Sequence, residues 1–423
     1  MAFKSIDIFA LSFLLLLAST VSQATVFDLN TYGAKPNADI TQVHYNLHIY
    51  IYIHYSYKKF QCIYTMHNVS VQALANAWKD VCAATSPSKL VIPSGTYTLT
   101  EAKLLGPCKA PIEVQIQGTL QAPAVMTKAS DNWVVIERLD GFTLSGGIFD
   151  GQGKSSYGKH CAKTDYCGKL PINIRYNFIT NSIIRGITSL DSKQFHMNVL
   201  GCNNVTFDHV TVTAPEDSPN TDGIHIGRST GINITDSNIK TGDDCISLGD
   251  GAKQITVVKT TCGPGHGISV GSLGKYPNEE PVEGVFIRNC TLTNTQNGVR
   301  IKTWPDSHEG TASDMHFEDI IMNNVGNPIL IDQEYCPWNQ CKLSVPSKVK
   351  LSKVSFKKIT GTSSTPVAVK LVCSGGVPCE NVEVADVNLA YSGPLGPVTS
   401  VCKNVKPILS GTQTPSTCAT AAA

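Results

Sequence analysis

The chain has 423 residues, with 34 Lys and Arg against 33 Asp and Glu, and only 16% of it is charged. That near-neutral balance gives no basic excess for nucleic acid and no acidic tract for a solvating tail. The length suits one large domain or two or three ordinary ones. With 34 glycines and many Val/Ile/Thr/Asn segments, the composition favours β structure with frequent turns.

The first element in chain order is an export signal. Lys4 supplies a positive start, the run 8–18 is short and apolar, and Ser22-Gln23-Ala24 offers small residues for cleavage after Ala24. Residues 1–24 are therefore predicted to be a signal peptide and 25–423 the mature protein. A membrane anchor fits less well, because the run is shorter than the ~20 residues of a span. Export implies that the fifteen cysteines are mostly paired. The close spacings Cys161/Cys167, Cys336/Cys341 and Cys373/Cys379 suggest small loops. Zinc is disfavoured, since no compact cluster of four Cys and His ligands occurs. Sequons at Asn204, Asn233 and Asn289 are glycosylation candidates on exposed turns.

Residues 43–72, rich in Tyr, Ile and His, are unlike their neighbours. Removing them joins Gln42 to Ala73, restores an Ala/Leu/Trp helical period and takes out Cys62, leaving an even number of cysteines. Val43 needs a codon beginning GT, and Gln72 is encodable as CAG. The segment reads as an in-frame translated intron forming a poorly packed excursion. The alternative is a genuine family-specific loop.

A helix follows over 73–83, then strands at 89–92 and 95–97. From about Ile112 onward, short apolar strands alternate with Asn/Gly/Asp turns. The segments Thr221–Ile226, Asp243–Leu248, Gly265–Val270, Gln296–Ile301 and Gly326–Ile331 repeat one another. Ile224, Ile246 and Ile268 are each 22 residues apart, and Val299 and Ile329 follow after 31 and 30, one period plus an inserted loop. Further strands lie between, at 232–235, 255–258 and 285–288. Three short strands per repeat of this length make one coil of a parallel β-helix, in which stacked coils share one core. A β-propeller is the weaker alternative, because its blades need ~40 residues.

Stacking gives the spacing chemical meaning. Positions one period apart lie about 4.8 Å apart on adjacent coils. Asp222, Asp244 and His266 should form one column, with Asp243 joining the same patch. His225, Ser247, Ser269 and Arg300 should form a second column opposite the isoleucine core, with Lys302 two positions beyond. Strict alternation would turn Asp222 toward the core with Ile224, so a bend at Gly223, Cys245 and Gly267 is required. Crowded carboxylates cannot all ionise freely, which leaves a protonated acid beside an ionised base, the pair that glycoside hydrolysis needs. Arg300, Lys302 and His266 could hold an anionic sugar acid. A calcium site is the rival reading, and the neighbouring cations weigh against it.

The motifs Asn220-Thr221-Asp222-Gly223, Gly242-Asp243-Asp244-Cys245, Gly265-His266-Gly267 and Arg300-Ile301-Lys302, in that order, resemble the four signatures of the polygalacturonases, glycoside hydrolase family 28. The segment 28–34 is similar to the start of mature plant members, and the whole is most similar to pollen-type, exo-acting ones. The resemblance implies an all-β fold, a right-handed single-stranded parallel β-helix with a short N-terminal capping helix. It implies inverting hydrolysis of polygalacturonate by a secreted, cell-wall monomer, with no metal and no cofactor. By analogy Asp243 is the general acid, Asp222 and Asp244 activate water, and His266 tunes the acid. Arg300 and Lys302 then bind a galacturonate carboxylate, Tyr335 lies in the substrate cleft, and Cys245 pairs with Cys262. The acid-to-base distance should be the longer, inverting one. A rhamnogalacturonan hydrolase, a calcium-dependent pectate lyase and a non-catalytic wall-binding protein are the competing readings.

Overall fold

The computed structural model describes residues 24–37, 43–45, 69–71, 73–125, 131–157 and 170–418. The predicted signal peptide up to residue 23, the pair Cys161/Cys167 and most of 43–72 lie outside these residues. Of 43–72, the two ends are described: Val43–Tyr45 pairs antiparallel with Val69–Val71, Val43 opposite Val71.

The chain winds as a right-handed parallel β-helix whose coils contribute strands to three lanes. The coil carrying Asp243 and Asp244 has a first-lane strand Thr230–Thr235, a second-lane strand Asn238–Lys240 and a third-lane strand Ile246–Leu248. The third lane is an eleven-stranded sheet from Ala102–Leu105 to Thr399–Lys403. From Val282–Thr293 onward the first two lanes fuse, so single strands such as Gly310–Val325 run through both. They bend at left-handed residues, Asn289, Asp319, Lys358 and Asp386. The same corner in earlier coils is held by His209, Asp236 and Lys259, also at positive φ. Each of these three donates its N–H to the next coil (3.2–3.3 Å), so the ladder continues around the bend.

Inward positions are aliphatic and stack in files. Ile224, Ile246, Ile268, Val299, Ile329 and Val369 form one third-lane file, and Ile226, Leu248, Val270, Ile301, Ile331 and Leu371 its neighbour. All twelve are fully buried. At about 2–3 kcal/mol for each large side chain removed from water, these files set the register, because a slip by one residue would turn an entire strand inside out.

The helix Ala73–Ala83 packs on the first coil through Leu74, Trp78 and Val81. Trp78 Nε1 donates to Leu105 O at 3.1 Å, and a Cys82–Cys108 disulfide ties the helix down. Disulfides also join Cys245 to Cys262, Cys336 to Cys341, Cys373 to Cys379 and Cys402 to Cys418. Cys202 and Cys290 depart from the pairing expectation. They are buried free thiols pushed up to about 11 by burial, which keeps them protonated. Of the sequon asparagines, Asn204 and Asn289 are exposed and Asn233 is half-buried in a strand.

Candidate active site

The site lies on the corner between the second and third lanes and on the outer face of the third. The connections leading into the strands Ile224–Gly227, Ile246–Leu248 and Ile268–Leu273 carry Asp222, Asp243–Asp244 and His266 in turn. The bend that sequence alternation required is present. A Cβ at Gly223 would sit 2.4 Å from Cys245 O, and Gly267 has φ +93° with Asn297 O 2.2 Å from its would-be Cβ. Only glycine lets coils approach this closely at a corner. Backbone bonds lock the stack, Gly223 N–H to Asp244 O at 2.9 Å and Cys245 N–H to Gly267 O at 2.8 Å. Cys245, next to Asp244 in the chain, is joined to Cys262 by a disulfide.

The outward file runs Asn198, His225, Ser247, Ser269, Arg300 in register. Its two serines are the parts that sequence reasoning left without a role. Ser247 Oγ donates to Asp222 Oδ2 and Ser269 Oγ donates to Asp244 Oδ1, both at 2.8 Å. Asp222 therefore turns to the outer face although Ile224 points inward.

Asp244 is fully engaged. Arg300 Nη2 donates to its Oδ1 at 2.8 Å and Lys302 Nζ to its Oδ2 at 2.7 Å, while Arg300 Nε reaches Ser269 Oγ at 3.1 Å. Burial would raise its pKa, but the adjoining Lys302 and Arg300 charges prevail and hold the carboxyl well below the usual carboxylate range. Arg300 is itself raised, since Asp244 outweighs the burial that would lower it. Asp222, equally buried, goes the other way. Burial first, then the charges of Asp243 and Asp244, push it well above its ordinary 3.8, and Lys302 and Ser247 only partly offset this.

Asp243 is the most open of the three, with 24% of its side chain exposed against 2% for Asp244. Its Oδ1 accepts the Asp244 N–H at 2.7 Å and lies 3.0 Å from His266 Nδ1. His266 thus contacts Asp243 by side chain, whereas the spacing alone had aligned it with Asp222 and Asp244. His225 Nδ1 lies 2.8 Å from Ser247 Oγ, and burial together with Lys302 pushes its ring down to about 4, so it is neutral at pH 7. Ligand atoms of Asp243, Asp244 and His266 come within 4.8 Å of one another. The Asp243–Asp244 approach is therefore shorter than the longer, inverting separation expected from the sequence, because one corner of a single coil carries both carboxyls. Both Asp244 oxygens are already taken by Ser269, Arg300 and Lys302. Tyr335 follows the strand Asn327–Asp332, and its ring centroid lies 5.2 Å from Lys302 Nζ and 5.9 Å from Arg300 Cζ.

A carboxyl cluster of mixed ionisation on a β-helix face narrows the comparison with known proteins. The model for glycosyl hydrolases family 28 matches residues 82–419. The chain belongs to that family. A polygalacturonase of Nicotiana tabacum is 52% identical over 98% of this chain and 97% of its own length. An exopolygalacturonase of Oenothera organensis is 57% identical over 84% of this chain and 99% of its own length. Among solved structures, an endo-xylogalacturonan hydrolase of Aspergillus tubingensis shares the fold at TM-score 0.69 and 24% identity, over 81% of this chain and 95% of that one.

Proposed function

We propose that the chain hydrolyses α-1,4 bonds of polygalacturonate with inversion, releasing monomer from chain ends. The observation that carries this is the divergence of Asp222 and Asp244. A cluster that fixes one carboxylate as an anion and raises its neighbour holds a proton above the ordinary carboxylate range, the condition for paired acid and base work. Asp243, the most open of the three carboxyls, takes the general-acid role, since it has room for the leaving oxygen. Asp222, once ionised, and Asp244 orient the attacking water. His266 steers the Asp243 carboxyl from 3.0 Å. Arg300 and Lys302, both nearly buried on Asp244, offer their remaining N–H donors and Tyr335 its ring to a galacturonate unit. Exo action is supported by the likeness to proteins named exopolygalacturonase in Oenothera organensis and Platanus acerifolia. The export signal, the disulfides and the substrate suit a monomer working in the cell wall.

The test is the product. Purified chain on polygalacturonate should yield monogalacturonate whose first-formed anomer is β, followed by NMR. A ladder of oligomers would mean endo action, and an unsaturated product absorbing in the near ultraviolet would overturn hydrolysis. Asp243→Asn should lower kcat about 10²–10⁴-fold with the far-ultraviolet spectrum unchanged.

Residues 43–72 belong to the same proposal as a translated intron. The family match begins beyond them, and their two ends pair with each other. Their removal therefore leaves the catalytic coils untouched. Sequencing transcripts tests this: the dominant message should lack the segment, and one that retains it sinks the idea.

A further inference from the structure

The strand Ile268–Leu273 leaves the site into a loop that the sequence motifs do not explain. The Glu279 carboxylate accepts the N–H groups of Gly274 at 2.6 Å and Tyr276 at 2.9 Å, folding the loop back on itself. Lys275 is thereby placed among three rings, its Nζ 5.1 Å from the Trp304 centroid, 5.5 Å from Tyr276 and 5.8 Å from Trp338. The Trp304 backbone is fixed by its main-chain N–H donating to Leu273 O at 3.0 Å, and Trp338 sits in the loop closed by Cys336–Cys341. Trp304 meets Trp338 at 6.2 Å and Tyr335 edge-on at 5.4 Å. Tyr335 in turn adjoins Lys302 and Arg300. A strip of contacts thus leads from the ion-paired centre to a second cation set in aromatic faces.

That alternation matches a uronate chain, which repeats a carboxylate and an apolar C–H face with every sugar. Aromatic faces take the C–H side of a pyranose and a lysine takes the carboxylate. We propose that Lys275, Trp304 and Trp338 form a second uronate subsite, holding the galacturonate unit next beyond the one at Arg300 and Lys302. This rests on the proposed function, and it adds to that reading the expectation that longer chains bind better than dimers.

Lys275→Met should raise KM for trigalacturonate and longer chains roughly five- to tenfold, the size of one charge contact at a partly exposed site. Digalacturonate, which fills only the two positions at the bond, should keep its KM, and kcat should hold throughout. Lys275→Arg should stay within twofold of the parent, which also covers a failure of the Met variant to fold. Trigalacturonate should change the tryptophan fluorescence of the Asp243→Asn protein, and neutral galactotriose should not. Equal KM changes for dimer and trimer, no change for either, or an identical response to the neutral sugar would overturn the subsite. A parent enzyme inactive on polygalacturonate would instead overturn the function on which the subsite rests.

Discussion

Asp222 and Asp244 occupy equivalent corners of adjacent coils, and each accepts a hydrogen bond from the serine 25 positions later in the chain, at the same 2.8 Å. Their ionisation is nevertheless driven in opposite directions. The difference lies in what stands behind each serine. Ser247 is backed by His225, whose ring is neutral at pH 7, and Ser269 by Arg300, which is always charged, with Lys302 closing on the far oxygen of Asp244. One repeat unit used twice therefore yields two chemical environments, and the cation of the flanking coil selects between them. The repeat supplies position, and departures from the repeat supply reactivity.

The largest test of this contrast replaces each carboxylate by its amide. Asp244→Asn leaves Arg300 and Lys302 buried without their anion, and should cost about 3–5 kcal/mol of stability at pH 7. Asp222→Asn removes a carboxyl that folding makes harder to ionise, and should stabilise by about 0.5–2 kcal/mol at pH 7 while activity is lost. The signs also differ with pH. From the ordinary carboxylate value of 3.8 up to its raised value, Asp222 keeps a proton in the native state that the unfolded chain has released. Its contribution therefore falls as pH rises through that window. Asp244 is ionised in the native state where the unfolded chain still holds its proton. Its contribution is present above 3.8 and is lost as pH falls below it. The gain from Asp222→Asn should thus shrink toward zero below pH 3.8, and the loss from Asp244→Asn should shrink there too. Urea denaturation at pH 7 and pH 3.5 measures both. Equal effects of the same sign would break the comparison.

What the sequence shows of this arrangement follows from its periodicity. Isoleucines 22 residues apart state the coil length, and that length stacks Asp222 with Asp244 and sets His225, Ser247 and Ser269 in a file, which Arg300 joins after one period plus an inserted loop. The fold and the membership of the acidic cluster are legible for that reason. The pairing within the cluster is not. Arg300 and Lys302 read as free cations for a substrate, yet both already bind Asp244, because a column says which residues are neighbours and not which side chain turns toward which. Lys275 and the tryptophans are invisible for a related reason. Lys275 and Trp304 sit in the inserted loops that stretch the period to 31 and 30, and Trp338 in the longer insertion between Ile329 and Val369, all outside the repeat that carries the signal. Cys202 and Cys290 escape pairing because they lie on coils too far apart to meet.

A finer test leaves both carboxylates in place and removes only their serine donors. Ser269→Ala deletes a hydrogen bond to an ionised group, worth about 1.5–3 kcal/mol. Ser247→Ala deletes one to a carboxyl that keeps its proton above the ordinary value of 3.8, worth about 0.5–1.5 kcal/mol while it does. The gap should be clear by chemical denaturation just above pH 3.8 and should close as pH rises and Asp222 ionises, since both bonds are then charge-assisted. Activity should separate the pair in another way. Without Ser247, Asp222 loses its only hydroxyl donor among the described contacts, so its pKa rises further and the acidic limb of the kcat profile moves to higher pH. Without Ser269, Asp244 still has Arg300 and Lys302, so the limb stays where it is. Acidic limbs that move together would mean that the two serines do the same work and that the flanking cations do not divide the carboxylates.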